Sequence, residues 1–250
     1  IATMRDLSKK HQLDKVVKKN NLDIQQCDVL DPLSIGKLSS YIEKTYKKID
    51  VLINNAGIFL GGFFEDCSLD EMDAVMNTNV KGVFAVTKAM LPFLREANQG
   101  KIVNISSSSG LVPLPLVSIY AASKFAIEAW SESLSYELSP NNIYVTCIEP
   151  QIYNTEMLKS NLNITKGLKN KKGPNYHYYN FFLKQINKKQ NKARDPKEVI
   201  QVIQKVIQSK SPKLRYKVGP STMIKSMCRS WIPFSIYHTI VKKIFWKLVR

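Results

Sequence analysis

The sequence has few of the residues that staple small folds or hold metals. Its four cysteines, Cys27, Cys67, Cys147 and Cys228, form no CxxC pair. That spacing suits reduced thiols and argues against a disulfide framework or a zinc site. Histidine occurs three times, at His11, His177 and His238, too scattered for a histidine-based metal centre. No metal is expected. No apolar run reaches the roughly 18 residues that cross a bilayer, and no signal-peptide pattern is visible. The expectation is a cytoplasmic chain. Acidic residues run out in the second half. Residues 1–150 carry 15 Lys+Arg against 17 Asp+Glu (15 − 17 = −2), and residues 151–250 carry 22 against 3 (22 − 3 = +19). Such asymmetry suits an anionic partner, whether a lipid surface, a nucleic acid or an acidic ligand, and equally a plain solvated basic face.

What is present is an ordinary globular composition, 44% hydrophobic over 250 residues. That is enough for one sizeable core, so 1–250 reads as a single domain. Short strand patterns at "LDIQQCDV" (22–29), "IDVLINNAG" (49–57), "KIVNISSSSG" (101–110) and "NNIYVTCIEP" (141–150) alternate with helical ones. Asp31 and Pro32 read as the start of one helix. Leu69 to Ala97 has apolar residues at helical spacing, and Ser118 to Leu138 is a further helix. Alternation of this kind predicts an α/β fold, a doubly wound parallel sheet with helices on both faces. Ligands of such sheets gather at the carboxyl ends of the strands, where "NNAG", "ISSSSG" and "IEPQIYNT" all fall.

Residues 156–195 form a lysine-laden insertion with an aromatic knot, "YHYYNFF" (176–182). So long an insertion is commonly an active-site lid. Pro196 opens a helix, and "LRYKVG" (214–219) reads as one more strand.

The stretch "IYAASKFAIEAW" places Tyr120 and Lys124 one helical turn apart on one face, with only small residues between them. A free phenol, with a pKa of about 10, is a poor base at neutral pH. A cation within roughly 4–6 Å lowers that value. The pair is therefore a candidate acid/base unit for interconverting an alcohol and a ketone.

Together, "CDVLD" (27–31), "NNAG" (54–57), "NTNVKG" (77–82), "NISSSSG" (104–110), "YAASK" (120–124) and "EPQIYNT" (149–155) resemble the short-chain dehydrogenase/reductase family. The resemblance is close to about residue 155 and looser to about 219. It implies a Rossmann-type fold and the following roles. Tyr120 matches the catalytic acid/base, and Lys124 its partner, which also holds the nicotinamide ribose. Ser107 matches the serine on the substrate carbonyl. Asn79 matches the asparagine of a kinked helix that holds a relay water. Asp28 and Val29 resemble the adenine contacts, and Asn55, Ala56 and Gly57 the floor under the adenosine. Ile152 and Thr155 match contacts to the nicotinamide carboxamide. Gln151 stands where the family has a glycine. Arg5, after what resembles the family's second strand, suits the 2′-phosphate of NADP, whereas Asp6, one residue on, suits the ribose hydroxyl of NAD. NADP is favoured.

The family's glycine-rich phosphate loop is absent, and Ile1 already lies inside what resembles its second strand. The expectation is a chain short of its beginning by roughly 30 residues, lacking the first strand and the pyrophosphate cradle and binding NADP weakly. Within the family, "ATMRDL", "SKFAIEAWSESLSYEL" and "RYKVGP" most resemble the 17-beta-hydroxysteroid and retinol dehydrogenase branch. That implies a lipophilic alcohol or carbonyl substrate, with Phe59, Leu60, Leu114, Leu116, Phe125 and the aromatic knot as candidate pocket walls. The tail, 220–250, reads as two basic amphipathic helices divided by Pro233. It suits a membrane interface, a cap on the pocket or a dimer contact. The other class of reading is an idle fold that binds nucleic acid through its basic half.

Overall fold

The computed structural model describes residues 1–13, 22–158 and 162–249. Strands β1 (Ala2–Met4) and β2 (Ile24–Gln26) are followed by helix α1 (Pro32–Thr45) and β3 (Val51–Asn54). The Asp31 carboxylate accepts the Leu33 N–H at 2.9 Å and caps α1. Next come β4 (Phe59–Gly61), α2 (Leu69–Met76), α3 (Val83–Arg95), β5 (Gly100–Ile105), α4 (Ser118–Leu138) and β6 (Ile143–Pro150). The chain continues with β7 (Leu162–Ile164), the single turn α5 (Lys166–Lys169), α6 (Tyr179–Asn191), α7 (Lys197–Gln208), β8 (Arg215–Val218), α8 (Pro220–Trp231) and α9 (Phe234–Val249).

The main sheet is parallel, in the order β3-β5-β6-β8. Its strands are covered on both faces because successive residues point opposite ways. On β5, Ile102 joins Leu134 and Leu138 of α4, whereas Val103 joins Val206 of α7. A buried polar chain fixes the register. Asn54 and its ladder partner Asn104 are hydrogen-bonded at 2.8 Å, Asn54 also donates to Thr87 at 2.9 Å, and Asn104 donates to Ser131 at 2.8 Å. A one-residue slip would leave these amides unpaired in the core, which is costly.

Three features shape the sheet and its connections. The first two strands pair with each other, and no ladder among the described residues joins them to β3. Packing holds them instead: Cys27 and Val29 share a core with Ile35, Leu38 and Ile42 of α1 and with Val86, Met90 and Phe93 of α3. The outer edge of β3 leaves Ile53 41% exposed. Second, the helix expected over 69–97 is interrupted by a π-helical turn at Asn77–Gly82. Third, β4 and β7 make an unforeseen parallel pair, Phe59 to Gly61 against Leu162 to Ile164, which ties the insertion over the main sheet. Among the described residues no helix is long and apolar enough to cross a membrane.

Candidate active site

Four of the expected side chains meet at the carboxyl ends of β3 and β5. Tyr120 and Lys124 lie in the first two turns of α4, 7% and 5% exposed. The Lys124 ammonium sits 5.9 Å from the centroid of the Tyr120 ring and donates to the Ile105 carbonyl at 2.8 Å. Ser107 follows β5 in extended backbone, its hydroxyl accepting the Ser109 N–H at 3.1 Å. That hydroxyl also favours the ionised form of the Tyr120 phenol. The Phe59 ring, 5.0 Å from that of Tyr120, closes the apolar side.

Asn79 lies within the π-helical turn and is fully buried. Its Oδ1 accepts the Ile58 N–H at 2.8 Å, and its Nδ2 donates to the Ile58 carbonyl at 2.9 Å and to Ser123 Oγ at 3.0 Å. Ser123 in turn donates to the Tyr120 carbonyl at 2.7 Å. The turn thereby anchors both the loop after β3 and the start of α4. Such π insertions recur at functional sites because they re-aim a side chain without ending the helix.

The electrostatics correct one expectation. Lys124 is expected to lower the phenol, but burial decides: the Tyr120 hydroxyl is pushed above its ordinary value, with Ser107 opposing. Burial also pushes Lys124 down, to about 8. The phenol is therefore protonated at neutral pH.

The remaining expected residues follow the carboxyl ends of β1, β2, β3 and β6. Arg5 is exposed directly after β1, whereas the Asp6 carboxylate is taken up by the Ser8 N–H at 2.9 Å. Asp28 and Val29 are half-buried after β2, and Asp28 accepts the Leu30 N–H at 2.9 Å. Asn55 and Ala56 are exposed, and Gly57 covers the quartet. A Cβ on Gly57 would come 3.3 Å from Asn79 Oδ1 and 3.8 Å from the Lys124 ammonium. Ile152 is half-buried and Thr155 exposed in the loop after β6.

A family model described as short chain dehydrogenase matches residues 1–164. The chain belongs to the short-chain dehydrogenase family. Over 210 residues it is 37% identical to a 3-ketodihydrosphingosine reductase of Bacteroides thetaiotaomicron, covering 82% of this chain and 76% of the relative. It is 34% identical to human retinol dehydrogenase 8, covering 100% of this chain and 82% of the relative. A short-chain dehydrogenase from Streptomyces avermitilis superposes with a TM-score of 0.76 at 26% identity, covering 99% of this chain and 86% of that one.

As a short-chain dehydrogenase the chain is an oxidoreductase of small alcohols or carbonyls with a nicotinamide dinucleotide. Solved proteins of this fold hold NADP in some cases and NAD in others. Gln151, in the family's glycine position, keeps the loop in place. Its Oε1 accepts the Ser221 N–H at 3.0 Å at the start of α8, and its side chain lies across Gly219, whose φ is +92°. The start of α7 holds the same loop: the Tyr153 hydroxyl donates to Glu198 at 2.8 Å, and Arg194 pairs with that carboxylate.

The sequence reading missed a buried ionic cluster of Glu128, Glu149 and Arg215. Glu128 lies four residues past Lys124 on α4, and that spacing was the available signal.

Proposed function

We propose that the chain interconverts a ketone and a secondary alcohol on a lipophilic molecule with NADP(H). In this reading Tyr120 is the proton donor, Ser107 the second donor to the carbonyl oxygen, Lys124 the adjacent cation and Asn79 their anchor. The observation that carries it is the gathering of Ser107 and Lys124 around the buried Tyr120 side chain. Residues present fit the dinucleotide. Gly57 leaves a cradle above Asn79 and Lys124, and the ammonium, with three donors, gives only one to Ile105. Among the described residues no side chain engages the exposed Arg5 guanidinium by hydrogen bond or ion pair, so it can meet a 2′-phosphate, while Asp6 is engaged with Ser8. The bound cofactor supplies the hydride. Negative charge developing on the substrate oxygen is then met by two aimed hydroxyls, and Tyr120 gives up its proton. A phenol protonated at neutral pH suits the reducing direction.

An apolar substrate is supported by the walls. Phe59 lies against Tyr120, Phe63 packs at a tilt on Tyr178 with ring centroids 5.2 Å apart, and Leu116, Leu162 and Tyr179 pack around Phe182. The two relatives described above are named for a ketosphingoid and for retinol. The convergent quartet disfavours the idle nucleic-acid binder. The test is NADPH oxidation against a panel of ketones. Tyr120→Phe should lose at least about 100-fold in kcat with its melting temperature kept, and activity that survives would remove the assignment.

A second reading concerns the tail. On α8 and α9, Ile224, Trp231, Phe234 and Ile244 are 55–81% exposed. No Asp or Glu follows Glu198, while Lys225, Arg229, Lys242, Lys243 and Lys247 lie among them. Such a surface suits an anionic membrane interface. The tail also docks on the enzyme body, Trp246 against Tyr178 at 6.3 Å and Arg229 over Phe125 at 5.8 Å. Flotation with anionic vesicles should carry the protein up, and Trp231→Ser with Phe234→Ser should leave it at the bottom. Equal flotation of both would refute the interface, and a concentration-dependent mass would indicate a dimer contact.

A further inference from the structure

Helix α4 carries Tyr120, Lys124, Glu128 and Glu132 at successive four-residue intervals. They therefore share one face over about 18 Å, from the candidate site to the protein surface. The two upper residues have their reading above. The two lower ones meet a pair of groups from the sheet, Glu149 at the end of β6 and Arg215 at the start of β8.

Glu149 is fully buried and Glu128 is 5% exposed. Arg215 Nε donates to Glu128 Oε2 at 3.0 Å, and its other arm donates to Glu132 at 2.6 Å. Nε is 3.6 Å from Glu149, an ion-pair contact longer than a hydrogen bond. Among the described residues, Glu128 Oε1 and both Glu149 oxygens receive no N–H or O–H. One guanidinium nitrogen thus lies within 3.6 Å of both buried carboxyl groups. Two ionised carboxylates gathered this closely would cost several kcal/mol in the core. One proton between them turns repulsion into a hydrogen bond and gives two of the three orphaned oxygens a partner. Burial and the neighbouring Glu128 indeed hold Glu149 protonated far above the usual carboxylate range.

This pair lies directly beneath the site. A Cβ on Gly110 would come 2.9 Å from Ser106 Oγ, 3.0 Å from the Lys124 carbonyl and 3.1 Å from Glu128 Cγ. The serine loop, the lysine and the upper glutamate thus converge on one glycine. Ser106 Oγ is buried there without a partner among the described residues. The other groups facing the pair are Lys124 and Glu132 on α4, Cys147 on β6, and Arg215 and Lys217 on β8. Of these, Lys124 is the cation whose charge is marginal, because burial opposes it while Glu128 supports it.

We propose that Glu128 and Glu149 share a single proton, and that the one negative charge they retain is a positioning charge that keeps Lys124 an ammonium beside Tyr120. The functional half of this inference rests on the reading of Lys124 given above; the shared proton does not.

Charge counting supplies the test. Glu128→Gln or Glu149→Gln abolishes the shared proton but leaves one carboxylate, so the pair stays at −1. Only the double substitution takes it to zero. Infrared spectra of the wild type at pH 7 should show a protonated carboxylic acid band that disappears at alkaline pH and in either single variant. Lysine side-chain NMR, assigned with Lys124→Met, should give nearly the same Lys124 titration midpoint in the wild type and both single variants. In the double variant the midpoint should fall by roughly one pH unit, a tenfold change in the amine-to-ammonium ratio. The alkaline limb of the pH–rate profile for ketone reduction should move with it. Absence of the acid band in the wild type would overturn the shared proton, and needs no variant to fold. An unmoved Lys124 midpoint in the double variant would overturn the positioning charge. Both spectroscopic signatures without a matching shift in the rate profile would leave the pair supported and remove Lys124 from the reaction.

Discussion

Asn79 grips the backbone of Ile58 at both polar atoms, accepting its N–H at 2.8 Å and donating to its carbonyl at 2.9 Å. A buried amide used in this way is hard to replace. Asn79→Ala should cost about 2–4 kcal/mol, since it strands buried backbone groups. For a chain of this size that is a fall of roughly 5–10 °C in melting temperature. Asn79→Asp keeps the first bond and loses both donations, so it should fall between wild type and alanine. A melting temperature within a degree of wild type for alanine would show that the clasp contributes nothing.

Lys124 gives a pH dependence of definite sign. Its folded-state value of about 8 lies below the ordinary 10.5. Below pH 8 both folded and unfolded chains are protonated, and the fold bears the full cost of burying the charge. Between 8 and 10.5 the folded chain has released its proton and the unfolded chain has not, so stability rises with pH. Lys124→Met should therefore be more stable than wild type at pH 7 by about 1–3 kcal/mol, allowing for the lost bond to Ile105. Its advantage should fade as the pH approaches 10.5. Thermal melts of both proteins across that range measure it, and an advantage that grows with pH would contradict the sign.

Gly219 has two separate reasons to be glycine. Its φ of +92° disfavours any side chain, and a Cβ would come 2.4 Å from Gln151 Cδ. Gly219→Ala should destabilise by about 2–3 kcal/mol. Adding Gln151→Gly removes the collision but not the backbone cost, so the double variant should regain only part of the loss. Chemical denaturation of the four proteins in the cycle resolves the two contributions.

Arg5 and Asp6 separate cofactor choice from local capping. Arg5→Asp should reduce the preference for NADP over NAD by about 10- to 100-fold in Kd ratio, the scale of one charge-assisted phosphate contact. Asp6→Ala should leave the ratio unchanged, because that carboxylate is engaged with Ser8. Fluorescence titration with both dinucleotides reads the ratio. An effect at Asp6 comparable with that at Arg5 would reverse the assignment.

Much of this arrangement was legible in the sequence. Asp31 as a cap, α4 over residues 118–138, the break at Pro233 and the parallel sheet all follow from local spacing. What local pattern misses is long-range pairing. β4 and β7 are three residues each and join segments about a hundred positions apart, so neither has enough length to show a period. Glu149 ends an otherwise apolar strand and draws meaning only from Arg215 on another strand. The direction of the Tyr120 shift was misread for a similar reason. Spacing reveals a neighbouring cation, but the depth of burial that outweighs it is a property of the assembled core.

The placing of Tyr120, Lys124, Glu128 and Glu132 on one uninterrupted helix has a cost in evolvability. Inserting or deleting a single residue between positions 120 and 132 would rotate everything beyond it by about 100°. The lower glutamates would then be carried away from Arg215 or the phenol away from its serine. Length variation among descendants of this chain should accordingly collect in surface connections and spare this segment, while point substitutions remain tolerated on its outward face.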